Sequence, residues 1–201
     1  MDLVGLYLVT DRRATRGREL VGVVSECLGA GLRTVQVREK DLPRDDLLGL
    51  ARQLRELTRR AGARLFINGD VGVAREVGAD GVQRTHDRRI ARADAAGLAI
   101  GASVHGLVEA LEAERDGADF LVFGPIYDTP SKRDYGPPQG LEPLAKVVAA
   151  VRLPVLAIGG ITPARVREVR AAGAAGVAVI SAILAADSPG EATSRFLEAL
   201  A

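Results

Sequence analysis

An arginine–lysine pair, two glycine- or serine-bearing loops and two histidines carry most of the chemistry that this sequence offers. Arg38 and Lys40 stand two residues apart, so on an extended chain both side chains leave the same face and can meet one polyanion, with Gln36 further along that face. Gly159-Gly160 and Ser181 are small residues of the kind that let backbone N–H groups approach a phosphate. His86 and His105 are the only two histidines, and a proton carrier near neutral pH is expected to be one of them, His105 ahead of His86. The stretch from Gly124 to Gly140 holds Asp128, Thr129, Ser131, Lys132 and Tyr135. A connection of that length and makeup suits a lid over a phosphorylated ligand, and it equally suits a plain insertion.

These residues work together only if a fold gathers them at one end. Eight β-rich runs recur between stretches of helical periodicity: Leu6 to Thr10, Thr34 to Arg38, Arg64 to Asn68, Gly81 to Gln83, Ala99 to Ser103, Phe120 to Phe123, Val155 to Ile158 and Gly176 to Ile180. Helices are expected in every interval. One of them follows Pro43 and sets Leu47, Leu48, Leu50, Ala51, Leu54 and Leu57 at helical spacing. The joint Leu28-Gly29-Ala30-Gly31 returns as Val77-Gly78-Ala79-Asp80, Asp116-Gly117-Ala118-Asp119 and Ala172-Gly173-Ala174-Ala175. A repeated βα unit without a linker predicts one domain, residues 1–201, folded as a closed (β/α)8 TIM barrel. The competing open doubly wound sheet lacks its G-x-G-x-x-G after Leu6 to Thr10. In such a barrel the strand C-termini build the reactive face, and here every one of them runs into polar or glycine-rich sequence.

Composition removes several function classes. With 27 Lys+Arg against 26 Asp+Glu, the net charge of +1 gives no basic field for nucleic acid or an anionic membrane. No apolar run reaches the roughly 18 residues of a membrane span. Four Phe, three Tyr and no Trp leave little for stacking on bases. Cys27 is the single cysteine and cannot form an internal disulfide, and Met1 to Gly5 shows no secretory signal pattern, so a cytoplasmic location is expected.

Read together, Leu6-Tyr7-Leu8-Val9-Thr10-Asp11, Val35-Gln36-Val37-Arg38-Glu39-Lys40, Ile67-Asn68, Gly101-Ala102-Ser103-Val104-His105, Phe123-Gly124-Pro125-Ile126, Ala157-Ile158-Gly159-Gly160-Ile161 and Gly176-Val177-Ala178-Val179-Ile180-Ser181 resemble the thiamine phosphate synthase and TenI superfamily over almost the whole chain. In the synthase branch an aminopyrimidine diphosphate loses diphosphate with magnesium help, and the resulting cation is captured by thiazole phosphate. The resemblance implies Gln36 for the pyrimidine and Arg38, Lys40, Asn68, Ser103 and Lys132 for the diphosphate. It implies Thr129, Gly160, Ile180 and Ser181 for the thiazole phosphate side; Gly159 is expected to bind phosphate beside Gly160, and Ser131 to contact the substrate.

The implied magnesium positions differ. Gly69 stands where the synthase pattern has an Asp after the strand-three Asn, and Arg88 aligns with a second Asp; Asp70 and Asp87 lie one residue away. Asn68-Gly69, Gly81-Val82-Gln83 and Ser103-Val104-His105 look closer to the TenI-type thiazole tautomerases, which move a proton on thiazole carboxylate phosphate and need no metal. A TenI relative has a histidine where this chain has Pro125, so His105, then His86, with Lys132 beside them, are the candidate catalytic groups. The leading expectation is thus a TenI-like tautomerase without cofactor. The alternatives are a thiamine phosphate synthase using Mg2+ held by Asp70 or Asp87, and a non-catalytic sensor of thiazole or thiamine phosphate. A homodimer paired through helix faces is compatible with any of the three.

Overall fold

Alternation of inward and outward side chains along short parallel strands shapes this molecule. The computed structural model describes residues 5–85, 90–95, 97–129 and 137–201. Eight parallel strands pair in chain order and close into a barrel: β1 (Gly5–Val9), β2 (Thr34–Val37), β3 (Arg64–Asn68), β4 (Gly81–Arg84), β5 (Ala99–Val104), β6 (Phe120–Phe123), β7 (Val155–Ile158) and β8 (Gly176–Val179). Closure is made by β1 against β8, with Leu6 opposite Val177 and Leu8 opposite Val179. The expected strands are all present, with bounds within one residue of those read from the sequence.

Helices α1 (Leu20–Gly29), α2 (Arg44–Arg60), α3 (Val71–Glu76), α4 (Leu107–Arg115), α5 (Leu141–Ala150), α6 (Val166–Ala171), α7 (Ser181–Leu184) and α8 (Pro189–Leu200) pack outside the strands. In α2, Leu48, Ala51 and Leu54 face inward, Asp45 and Asp46 sit in the first turn and Arg59 and Arg60 in the last, each matching the helix dipole. Pro43 is the N-cap residue and not part of the first turn as the sequence suggested. Between β4 and β5 the expected helix is absent from the described residues: Ala91 accepts from Asp94 and Ala95 in a single turn. Among the described residues there, Ile90, Ala95 and Leu98 are the buried ones, too little apolar surface to hold an amphipathic helix.

The repeated joints end helices through glycine at positive φ, 64° at Gly78, 83° at Gly117 and 93° at Gly173, where any other residue would be strained. In the first joint Gly31, not Gly29, takes that role, at 105°. Asp80 and Asp119 then tie strand starts together. The Asp80 carboxylate accepts from the Leu65 N–H at 2.8 Å and the Asp119 carboxylate from the Ile100 N–H at 2.7 Å.

Inside the barrel, Tyr7, Phe66 and Phe120 form a triangle with ring centroids 5.3 to 5.8 Å apart. Glycines make room for it. A Cβ on Gly81 would lie 2.3 Å from the Phe66 ring, and one on Gly101 2.3 Å from the Phe120 ring. The Tyr7 hydroxyl and the Gln83 Oε1 are buried without a hydrogen-bond partner among the described residues, and burial pushes the Tyr7 phenol well above its ordinary pKa.

This packing sets three expectations for urea unfolding. Phe120→Ala is expected to lose about 3–5 kcal/mol, as large buried aromatics do when truncated. Gly101→Ala is expected to lose about 1–3 kcal/mol through overpacking. Tyr7→Phe, which removes only an unpaired buried hydroxyl, is expected to hold or raise the midpoint.

Candidate active site

Two residues beyond the aromatic triangle on the same strand faces lie Val9, Asn68 and Val122, and there the barrel opens into a cavity of about 530 Å3. Its wall brings together nearly all the described residues that the sequence singled out: Gln36, Arg38 and Lys40 from β2 and its loop, Asn68 from β3, Ser103 and His105 from β5, Thr129 after β6, Gly159 and Gly160 after β7, and Ile180 and Ser181 after β8. Residues from β2, β3 and β5 and from the loops after β6, β7 and β8 therefore converge at the C-terminal end of the barrel, where a (β/α)8 fold places its site.

Arg38 and Lys40 reach the cavity because the residue between them turns the other way. Glu39 is buried, its side chain only 2% exposed. Its carboxylate accepts from the Thr10 hydroxyl at 2.7 Å, the Arg12 backbone N–H at 3.1 Å and the Arg12 guanidinium at 3.2 Å. The Thr10 oxygen in turn accepts from the Arg38 N–H at 2.9 Å. Asp41 completes the cluster, taking Arg12 at 2.7 and 2.6 Å and Arg13 at 2.6 Å. Hydrogen bonds from Arg12 hold the Asp41 carboxyl down at about 2 and raise the guanidinium above its ordinary value. A buried carboxylate thus anchors the loop after β2 to the loop after β1.

Amide and hydroxyl pairs order the floor. Gln36 donates to Asn68 at 3.1 Å, and Gln83 donates to Ser103 at 3.0 Å. The Nδ1 of His105 lies 2.5 Å from the Gly124 carbonyl oxygen; a carbonyl only accepts, so Nδ1 carries the proton. The His105 N–H donates to Glu109 in the first turn of α4 at 2.7 Å.

At the opposite edge of the cavity, glycine is needed for both conformation and space. Gly159 and Gly160 have φ of 101° and 63°. A Cβ on Gly159 would come within 2.6 Å of Pro125, and one on Gly160 within 2.7 Å of the Asp128 carbonyl. The loops after β6 and β7 are in contact there and share backbone bonds, Ile126 to Ile158 at 2.8 Å and Tyr127 to Gly159 at 3.1 Å. Ser181 opens the four-residue α7, the short extra helix that barrels of this kind place after β8, and its first N–H groups have no intrahelical partner.

The remaining candidates fall elsewhere. His86, Asp87, Arg88, Ser131 and Lys132 lie outside the described residues. Asp70 does not line the cavity; its Oδ1 caps α3 by accepting from the Val73 N–H at 2.8 Å, while Gly69, at φ 74°, offers no side chain. No group of three His, Cys, Asp or Glu side chains that could hold a metal occurs among the described residues. Of the two substitute ligands expected for magnesium, Asp70 has its Oδ1 engaged in capping α3, and Asp87 lies outside the described residues. Among the described residues no helix is long and apolar enough to cross a membrane.

Sequence reading placed Thr10 and Glu39 at strand ends without assigning them a role, and passed over Arg12, Tyr127 and Arg165. Alternation around Arg38 and Lys40 was the available signal, since it turns Glu39 away from the cavity and toward the loop after β1. Replacing Glu39 by Gln is expected to cost about 1–3 kcal/mol in urea unfolding, because the Arg12 guanidinium and backbone N–H lose a charged acceptor. For Asp41, whose folded pKa lies below the unfolded value of about 3.9, the stability gap between wild type and Asp41→Asn is expected to be constant above that pH. It should shrink as pH falls toward about 2.

The family model described as thiamine monophosphate synthase matches residues 6–183. A thiamine-phosphate synthase of Roseiflexus castenholzii is 43% identical over 196 residues, covering 96% of this chain and 86% of that protein. One from Pyrococcus horikoshii is 41% identical, covering 94% of this chain and 90% of the relative. The solved thiamine phosphate pyrophosphorylase of Pyrococcus furiosus superposes with a TM-score of 0.90 at 39% identity, covering 99% of this chain and 96% of its own. These likenesses favour the synthase alternative over the tautomerase reading, and with the matching barrel they show that the chain belongs to the thiamine monophosphate synthase family, as an enzyme of thiamine biosynthesis.

Proposed function

We propose that the enzyme joins an aminopyrimidine diphosphate to a thiazole phosphate, giving thiamine phosphate and free diphosphate. One observation carries this reading: a single cavity holds Arg38 and Lys40 beside the Gln36–Asn68 pair, and also the Gly159-Gly160 and Ser181 loops. Around the ring, β2 and β7 are separated by β1 and β8; with strands about 4.8 Å apart, their ends stand on the order of 10–13 Å from each other. That is farther than one phosphoryl group reaches. Two cations on one strand end suit the high charge of a diphosphate better than a single carboxylate. The names of the relatives support the same choice.

The reaction asks for charge handling and alignment. The bond between the exocyclic methylene carbon and the diphosphate oxygen breaks, its electron pair leaving with the diphosphate toward Arg38, Lys40 and Ser103. The thiazole nitrogen then gives its lone pair to that carbon. No proton moves in this exchange, so Pro125, where a TenI relative has a histidine, is no obstacle. Gln36, oriented by its bond to Asn68, presents an amide to the pyrimidine edge.

A second reading is favoured by His105, whose ring lines the cavity with its Nδ1 proton fixed by Gly124. Such a histidine is suited to proton transfer in a thiazole isomerisation. The decisive assay gives folded protein both phosphorylated substrates, with Mg2+ and with chelator, and follows each product. Thiamine phosphate is the expected product. Isomerised thiazole alone would favour the second reading, and tight binding without turnover a sensor.

Arg38→Ala and Lys40→Ala are each expected to lower kcat/KM for the pyrimidine diphosphate by about 10- to 100-fold, the scale of a lost charged hydrogen bond. Steady-state kinetics with the thiazole partner saturating would measure this.

A further inference from the structure

Arg165 lies outside the cavity wall, yet its contacts converge on the loop that forms it. Its guanidinium donates to the Gly160 carbonyl at 2.6 Å and lies 4.2 Å from the centroid of the Tyr127 ring. Tyr127 belongs to the loop after β6, its backbone N–H donates to the Gly159 carbonyl at 3.1 Å, and its hydroxyl donates to Glu168 on α6 at 2.6 Å. Partial burial, followed by the bond to Glu168, pushes the Tyr127 phenol up to about 12, so it keeps its proton across the working range.

Two successive carbonyls are therefore held by groups on the outer side of the loop. In a trans peptide the C=O and the following N–H point in opposite directions. Holding the Gly159 carbonyl against Tyr127 turns the Gly160 N–H the other way, and holding the Gly160 carbonyl against Arg165 does the same for the Ile161 N–H. Gly160 and Ile161 both line the cavity, and neither N–H has a hydrogen-bond partner among the described residues. Successive N–H groups turned one way form a concavity for an anion.

We propose that Arg165, stacked on Tyr127, is a positioning residue that fixes the Gly159-Gly160-Ile161 peptides with their N–H groups toward the thiazole phosphate, and so sets affinity for that substrate alone. This rests on the two-ended reading of the cavity given above. Arg165 acts through the peptide that it holds and touches no reacting atom.

The test is equilibrium binding by calorimetry, with thiazole phosphate and inorganic pyrophosphate as separate probes of wild type, Arg165→Ala and Arg165→Lys. Arg165→Ala is expected to weaken thiazole phosphate about tenfold, the scale of one charge-assisted hydrogen bond, and to leave pyrophosphate within twofold. The loss should persist at about 1 M ionic strength, where a Debye length of ~3 Å screens simple attraction by the arginine charge. Arg165→Lys should recover only part of the affinity, since a point charge cannot both stack on Tyr127 and bond the carbonyl as the planar fork does. Unchanged thiazole phosphate affinity in Arg165→Ala, equal weakening of both probes, or full recovery in Arg165→Lys at high salt would overturn the inference. Failure of wild type to bind thiazole phosphate would overturn the two-ended reading itself, and this inference with it.

Discussion

The aromatic triangle of Tyr7, Phe66 and Phe120 is the constraint on which the rest of the structure depends. A closed ring of eight short strands has an interior that must be filled, and three rings with centroids 5.3 to 5.8 Å apart fill it. Their size forces glycine at Gly81 and Gly101, where a Cβ would fall 2.3 Å from a ring carbon of Phe66 or Phe120. Because side chains alternate, fixing that layer also fixes which residues stand above it. Gln36, Asn68, Ser103 and Ile158 face the cavity as a consequence of strand register, and the site inherits the rigidity of the core.

What the strands cannot fix is the aim of the loops beyond them, and here buried or shared polar contacts take over. Glu39 is the main one. A carboxylate removed from water is costly unless well paired, and this one meets Thr10 and both donors of Arg12. The same cluster links the chain ends after β1 and β2, so the cationic side of the cavity is held as one body. On the other side, the contact of Gly159 and Gly160 with Pro125 and Asp128 plays the equivalent part, through close backbone approach instead of charge.

Most of the fold was legible in the sequence because it rests on period-two runs and on a glycine joint repeated along the chain, both local signals. That the described residues before β5 form no helix was not legible, since Ala91 to Ala95 has helical propensity but little apolar surface to bury. For the site, strand-end position alone located Arg38, Asn68, Ser103, His105 and Gly160. The residues missed act through contacts far apart in sequence: Thr10 with Glu39, and Tyr127 with Glu168. Asp70, a carboxylate beside the expected metal position, also has an oxygen on the start of α3, a local contact that the metal pattern alone does not reveal.

The proposed function requires that one cavity hold two phosphorylated groups at once, one at the β2 end and one at the loops after β7 and β8. Its most direct test is a titration of thiazole phosphate into protein already saturated with pyrophosphate. Simultaneous occupancy predicts one site whose affinity stays within a few fold of that in the absence of pyrophosphate. Mutually exclusive binding, with thiazole phosphate affinity falling in proportion to pyrophosphate concentration, would contradict it.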